Sequence, residues 1–363
     1  MSLGEHSYEI VIGHGTLGKL GDAVKRLELG SKEMIVTGAT LWPNYGKVVH
    51  DSMDSSGFDV SVALINDEEE SKSLQTVTSL CDSLIQNDLD RSSGIVTVGG
   101  GVVGDVAGFA AATFMRGIRV IQVPTTLLAQ VDSSIGGKTG VNHPRGKNLI
   151  GAFHQPTLVW TDVSTLRTLT ERELRSGLAE VIKYAIIADA ELFHILETTI
   201  DAFSKASTDA VIEIVSRCCA IKARIVEKDE KERGVRSILN YGHTIGHALE
   251  ALTDYLYYTH GEAVAVGMTA AARISCTLGA ADNKMVENQE RLIKMAGLPT
   301  LIECPIDPRE IVDRLNSDKK RMAGRVRWVL PKAIGEVFLT DQVPLDVALD
   351  VLSAMIASRK EEH

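Results

Sequence analysis

No run of apolar residues in the 363-residue chain reaches the length of ~20 that a membrane-spanning helix needs. The N-terminal stretch MSLGEHSYEI has neither the apolar segment of a secretion signal nor the Arg-rich character of a transit peptide, so a soluble, cytoplasmic protein is expected. Cysteine is sparse: Cys81, Cys218, Cys219, Cys276 and Cys304 form no CxxC spacing and two of them are adjacent, which excludes a zinc ribbon and a disulfide scaffold. Positive charge is in deficit, with 38 Lys and Arg against 48 Asp and Glu, and the resulting net charge of -10 argues against nucleic acid as the main partner. Internal repeats and low-complexity linkers are absent too. What remains is an ordinary soluble composition, 44% hydrophobic and 24% charged, in a chain too long for one core, so two domains are expected.

The first part alternates strand-like and helix-length segments. EMIVTG (33–38), VSVALI (60–65), GIVTVG (94–99) and RVIQVP (119–124) are short β-rich runs, and their spacing predicts βαβ units with a parallel sheet covered by helices. From RTLTERELRSGLAEVIKYAI (167–186) onward the pattern is helical, with the Ala-rich GEAVAVGMTAAARIS (261–275) read as a buried helix. RVRWVL and GEVFLT, joined by PKAI, read as a late hairpin. The expected fold class is therefore α/β: a Rossmann-like nucleotide-binding domain over 1–160, followed by a mainly helical domain over 161–363.

TVGGGVVGDVAGF (97–109) fits G-x-G-x-x-G through Gly99, Gly101 and Gly104, after a strand and at the start of a helix. Glycines there let the backbone approach a pyrophosphate at a helix N-terminus, although a tight strand-to-helix turn accounts for the same residues. The acid expected at the end of the next strand to hold a ribose is missing, since that stretch reads VIQVPTT. Glu69 and Lys72 in INDEEESK are candidates for that task; on spacing alone they are an ordinary i,i+3 charge pair.

Residues 116–148 reverse the overall charge balance. Arg116, Arg119, Lys138, Arg145 and Lys147 face only Asp132, a local net charge of +4. Lys138 follows Gly136 and Gly137, and Lys147 with Asn148 follows Gly146; point charges and amide donors beside glycines suit a phosphate. The Walker A spacing is absent, and PTTLLAQVDSSIGGKTGVNHPRGKNLIG reads as a functional loop.

LNYGHTIGHALE (239–250) sets His243 and His247 four apart, hence on one face of a helix. The residue after His243 is threonine, so this is not the H-E-x-x-H zinc motif; a metal site, a proton relay and two solvated histidines all remain open. SGLAEVIKYAI puts Glu180 on an otherwise apolar face, where a carboxylate is costly unless paired, either with Lys183 or with a metal. YYTHGEAV adds His260. One carboxylate and two histidines form a catalytic zinc set, and spacing does not choose which histidines bind.

Taken in order, GGGVVGDVAGFAAATFMRG, VPTTLLAQVDSSIGGKTGVN, GKNLIGAFHQP, SGLAEVIKY, LNYGHTIGHALE and HGEAVAVGM resemble the signature segments of the 3-dehydroquinate synthase family over about residues 66–268. The resemblance implies a homodimer that uses NAD+ and one divalent metal, Zn2+ or Co2+, on a phosphorylated sugar acid. It implies Glu180, His243 and His260 as metal ligands, with His247 handling protons. For NAD+ it implies Glu69, Lys72, the loop Gly100, Gly101, Val102 and Asp105, then Thr125, Thr126, Thr168 and Leu169, with Asp132, Lys138 and Lys147 alongside. For substrate it implies Asp132, Lys138, Asn148, Lys183, Lys222, Arg236 and Asn240, a lysine at 319 or 320, and Arg116 from the partner subunit. Rival readings are another sugar phosphate cyclase, a metal-dependent polyol dehydrogenase, and a non-catalytic anion-binding protein.

Overall fold

The computed structural model describes residues 1–27, 30–205, 207–321 and 326–356. In chain order the first elements are β1 (Glu9–Gly13), α1 (Leu20–Lys25), β2 (Lys32–Gly38), α2 (Lys47–Ser55), β3 (Asp59–Ile65), α3 (Leu74–Gln86), β4 (Gly94–Gly99) and α4 (Gly101–Thr113). They continue through β5 (Arg119–Pro124), β6 (Lys138–His143), β7 (Gly146–Phe153), β8 (Leu158–Asp162), α5 (Glu171–Ala188), α6 (Ala190–Thr199) and α7 (Thr208–Lys228). The last are α8 (His243–Leu252), α9 (His260–Thr277), α10 (Asn283–Met295), α11 (Pro308–Arg321), β9 (Trp328–Ala333), β10 (Glu336–Thr340) and α12 (Leu345–Ala354). Two compact units result: Met1–Thr170 with Ser207–Lys231, and Glu171–Ala206 with Glu232–His363.

The first unit is built on a six-stranded sheet in the order β1-β8-β5-β4-β2-β3, parallel at every pairing. Its inner strands β2, β4, β5 and β8 are buried on both faces, as a sheet covered on both sides requires. Successive residues alternate between two cores: Met34, Val36, Ile95 and Val120 pack with α3 and α4, whereas Ile35, Val96, Ile121 and Val123 pack with α1 and α2. The four strands expected from the sequence are β2 to β5, with GIVTVG and RVIQVP matching β4 and β5 residue for residue. Strands β1 and β8 are additions to that expectation, and the stretch read as a loop contains the antiparallel hairpin β6–β7. Short runs broken by Gly, Ser and Lys conceal strands whose stability comes from pairing rather than propensity.

The expected single boundary near residue 160 does not describe this chain, because α7 belongs with the sheet. Lys222 donates to the backbone carbonyl and to Oδ1 of Asp132, both at 2.6 Å, and Cys219 Sγ meets the Gln130 carbonyl at 3.3 Å. A helical pattern identifies the helix but not the unit whose core its apolar face completes.

The second unit is helical with one hairpin, β9–β10. Its turn falls at Ile334 and Gly335, because Pro331 to Ala333 extend β9 beyond the expected strand. Among the described residues, no helix is long and apolar enough to cross a membrane.

Arg119 does not serve the anion segment. It is the first residue of β5 and donates to Glu33 Oε1 on β2 at 3.3 Å; Gly94 of β4 lies in register between them and leaves the carboxylate room to cross. Burial lifts the Glu33 pKa from 4.5 to about 7 against the opposing pull of Arg119. A raised carboxyl pKa means that the folded chain binds the extra proton between those values, so stability falls as pH rises from 4.5 to 7 and then levels off. Glu33→Gln removes that slope; denaturant unfolding at pH 5 and pH 8 should show a stability loss in the parent of up to about 3 kcal/mol that is absent in the variant.

Candidate active site

In the second unit, three helices meet through glycines rather than side chains. A Cβ on Gly267 of α9 would lie 1.9 Å from the carbonyl oxygen of Gly242, and one on Gly242 would lie 2.7 Å from that of Val264. Gly242 immediately precedes α8 with a φ of 81°, in the left-handed region that favours glycine. At the other end of α9, a Cβ on Gly261 would meet the Ser176 carbonyl of α5 at 2.1 Å, and the Gly261 N–H donates to Ser176 Oγ. A capping box between Thr259 and Glu262, with Glu262 gripped by Arg172 at 2.7 and 2.9 Å, fixes the first turn of α9.

These contacts bring Glu180 of α5, His243 of α8 and His260 of α9 together, with ligand atoms all within 4.8 Å of one another. Glu180 is fully buried; its Oε1 lies 3.6 Å from His243 Nε2 and 3.5 Å from His260 Nε2, and Lys183 contacts its other oxygen. His243 Nδ1 donates to the Tyr241 carbonyl at 3.1 Å, which fixes the tautomer and leaves the lone pair on Nε2. Burial holds the His243 pKa down at about 3, so the ring is neutral, the form that binds a metal. Burial also acts against charge on His260, but Glu180 and Glu250 outweigh it and hold that pKa up at about 10. The group attracts positive charge and, once a cation displaces the proton on His260, offers two imidazole nitrogens and a carboxylate, a donor set that fits a divalent cation of the zinc type.

His247 is exposed, one turn along α8, with its ring centroid 5.2 Å from that of His243. It also falls within a second group, with Glu250 and His260. Glu250 Oε1 lies 3.6 Å from His260 Nδ1, the place of a carboxylate that orients a ligand histidine. Its only signal in the sequence is an acid three residues after His247 on the same face. Arg236 is buried in a short turn, and Asn240 donates to Glu232 at 2.8 Å. Lys319 and Lys320 have side chains outside the described residues.

In the first unit, β4 ends where α4 begins. Gly100 precedes α4 without a side-chain cap, so the helix presents bare N–H groups, and Cβ atoms on Gly99 and Gly100 would stand 2.6 and 3.1 Å from Val103 and Thr126 side chains. Thr125 Oγ1 is buried without a hydrogen-bond partner, a polar group left for a ligand. Lys72 donates to Asp105 at 2.7 Å, and burial pushes the Asp105 carboxyl pKa up although Lys72 opposes it. Glu69 accepts from Asn142 at 2.7 Å and lies 3.7 Å from Lys147. Thr168 shares a 2.7 Å hydrogen bond with Tyr45, and Leu169 follows it. Glycine backbone, an uncapped helix start and an unused hydroxyl fit a dinucleotide. Lys138 and Asn148 stand on β6 and β7, with Asp132 held by Lys222. Asn142 is absent from the residues expected on sequence, having no chemistry of its own to signal it.

Family signatures described as 3-dehydroquinate synthase N-terminal and C-terminal match residues 62–176 and 177–321. The chain belongs to the 3-dehydroquinate synthase family. A 3-dehydroquinate synthase of Nostoc punctiforme is 50% identical over 357 residues, covering 98% of each chain. The chain is also similar to the solved 2-epi-5-epi-valiolone synthase of Streptomyces hygroscopicus with NAD+ and Zn2+ bound, at 27% identity and a TM-score of 0.89 over 98% of each chain. A 2-deoxy-scyllo-inosose synthase complexed with carbaglucose-6-phosphate, NAD+ and Co2+ is 28% identical, with a TM-score of 0.87 over 96% of this chain and 97% of that one. The family membership agrees with the resemblance seen in the sequence, and the parallel-sheet and helical units agree with the expected fold class.

Two outcomes are expected. Gly267→Ala, which drives a methyl group into backbone, should destabilise by about 1–3 kcal/mol or more and lower bound zinc in proportion, read by thermal unfolding and elemental analysis. His243→Ala should purify without zinc while His247→Ala keeps about one equivalent; equal loss from both would remove the division of roles between the two histidines.

Proposed function

We propose that this protein converts 3-deoxy-D-arabino-heptulosonate 7-phosphate into 3-dehydroquinate and inorganic phosphate, a step of the shikimate pathway toward aromatic amino acids. It would be a carbon-oxygen lyase using NAD+ and one divalent cation, Zn2+ or Co2+. The observation that carries this reading is the buried Glu180, His243 and His260 donor group in a chain 50% identical, over nearly its whole length, to a 3-dehydroquinate synthase.

Glu180, His243 and His260 would hold the cation, and the α4 loop from Gly100 to Asp105, with Glu69, Lys72, Thr125, Thr126, Thr168 and Leu169, would hold NAD+. When bound, these groups supply polarisation of the substrate hydroxyls and reversible hydride acceptance at C5. Lys138, Lys147 and Asn148 bind the phosphate ester, so that one of its own oxygens can take the C6 proton as the carbon-oxygen bond breaks. That economy explains why His247 suffices as a protein acid-base group. Arg236 offers a carboxylate a two-pronged grip that lysine lacks, and Lys222 adds a point charge. A substrate carboxylate is what distinguishes this reaction from those of cyclases acting on sugar phosphates that lack one, and Lys222 with Arg236 favours it. Asp132, Lys183 and Asn240 complete the polar set.

The same reading makes the protein a cytoplasmic homodimer in which Arg116 serves the partner's site. Met115 and Arg116 both take left-handed backbone, with φ of 48° and 71°, a conformation disfavoured for such residues and typical of functional turns. Both are exposed, as are the apolar Leu149 and Phe153 of β7, which a second copy of the chain would cover.

Phosphate release from the heptulosonate phosphate, followed with NAD+ and added Zn2+ while absorbance at 340 nm is recorded, tests the reading. Release with no net NADH is expected, because the hydride removed is returned. NADH accumulation with simple polyols and no phosphate release would instead make the protein a dehydrogenase.

A further inference from the structure

The hairpin β6–β7 changes register at one place. Val141 pairs with Ile150 and His143 with Gly146, so that Asn142 alone on β6 faces the three residues Lys147, Asn148 and Leu149 on β7. The surplus cannot stay in the ladder, and Asn148 turns left-handed at a φ of 53°. A bulge of this kind re-aims side chains, and the two re-aimed here are the lysine and the amide assigned above to the phosphate.

Asn142 holds the bulge from the opposite strand. Its Oδ1 accepts the Asn148 N–H at 2.9 Å, its Nδ2 donates to Glu69 Oε1 at 2.7 Å, and its own N–H donates to the Lys72 carbonyl at 2.8 Å. The amide orientation follows from chemistry, because an ionised carboxylate only accepts and a backbone N–H only donates. Lys147 Nζ, 3.7 Å from the same Glu69 oxygen, closes the ring. Aspartate, the isosteric acid, lacks the donor that Glu69 needs.

We infer that Asn142 is a positioning residue that ties the turn carrying Glu69 and Lys72 to the bulge carrying Lys147 and Asn148, so that the nucleotide and phosphate contacts are set by one side chain. The inference rests on the reading of those residues given above. Asn142→Asp keeps the acceptor for Asn148 but places a second carboxylate against Glu69. In the zinc-loaded full-length protein it should weaken NAD+ binding, measured by calorimetry, about ten-fold or more, while the KM for the heptulosonate phosphate moves less than about three-fold. Asn142→Ala gives up both bonds and should worsen both constants.

Exchanging donor and acceptor gives the decisive variant. In Asn142→Asp combined with Glu69→Gln, the new amide can donate to the new carboxylate, and NAD+ affinity should return to that of Glu69→Gln alone. A double variant that binds NAD+ more weakly than Glu69→Gln alone, or an Asn142→Asp protein that binds NAD+ like the parent while Glu69→Ala does not, would overturn the inference and leave the nucleotide reading standing. Unchanged NAD+ affinity in Glu69→Ala would remove both.

Discussion

Everything the second unit offers chemically depends on backbone approaching backbone where side chains would keep helices apart. Gly261 against Ser176 and Gly267 against Gly242 place α5, α8 and α9 so close that Glu180, fully buried, has two imidazoles and an ammonium within reach. A carboxylate in such surroundings is costly alone and stable only among groups that share its charge. Close packing and buried charge are thus one design: the glycines remove bulk where the helices cross, and the charged groups fill the space this creates beside them. The capping box at Thr259 adds a rotational constraint, since it fixes where the first turn of α9 begins and hence where His260 points.

In the first unit the chemistry lies at the strand ends and in the turns that leave them. The C-terminal end of β4 opens into α4 over bare glycines, and the hairpin β6–β7 departs from regular pairing only where its anion-binding candidates stand. The opposite ends of the strands carry the Glu33–Arg119 pair, whose role is structural. Charges close in sequence are thereby separated: Arg116 and Arg119 are three residues apart, yet one is exposed on a left-handed turn and the other donates to a buried carboxyl.

Much of this is legible in the sequence, for identifiable reasons. Strands β4 and β5 can be read residue for residue because uninterrupted apolar runs between turn residues have few other solutions. Period alone places His243 and His247 on one helical face, and Glu180 stands out because a carboxylate amid apolar residues needs an explanation. Spacing cannot choose among the histidines, since the choice lies in the Gly242–Gly267 contact between segments distant in the chain. Asn142 and Glu250 escape notice because each acts on another residue rather than on a ligand, and such roles exist only in three dimensions. Helix α7 is recognisable as a helix, but its membership is set by Asp132 and Gln130, far away in sequence.

That helix has a consequence for synthesis. The first unit is completed by Ser207–Lys231, which comes after the opening 36 residues of the second unit, Glu171–Ala206. On the ribosome, then, the sheet emerges without the helix that supplies Lys222 to Asp132, and must wait while a segment destined for the other unit passes. Neither unit corresponds to a contiguous stretch of message, so a chain halted at residue 170 holds every strand of the sheet but leaves Asp132 without that lysine. Domains usually fold one after another as they appear; here the first unit is completed only after part of the second has been made.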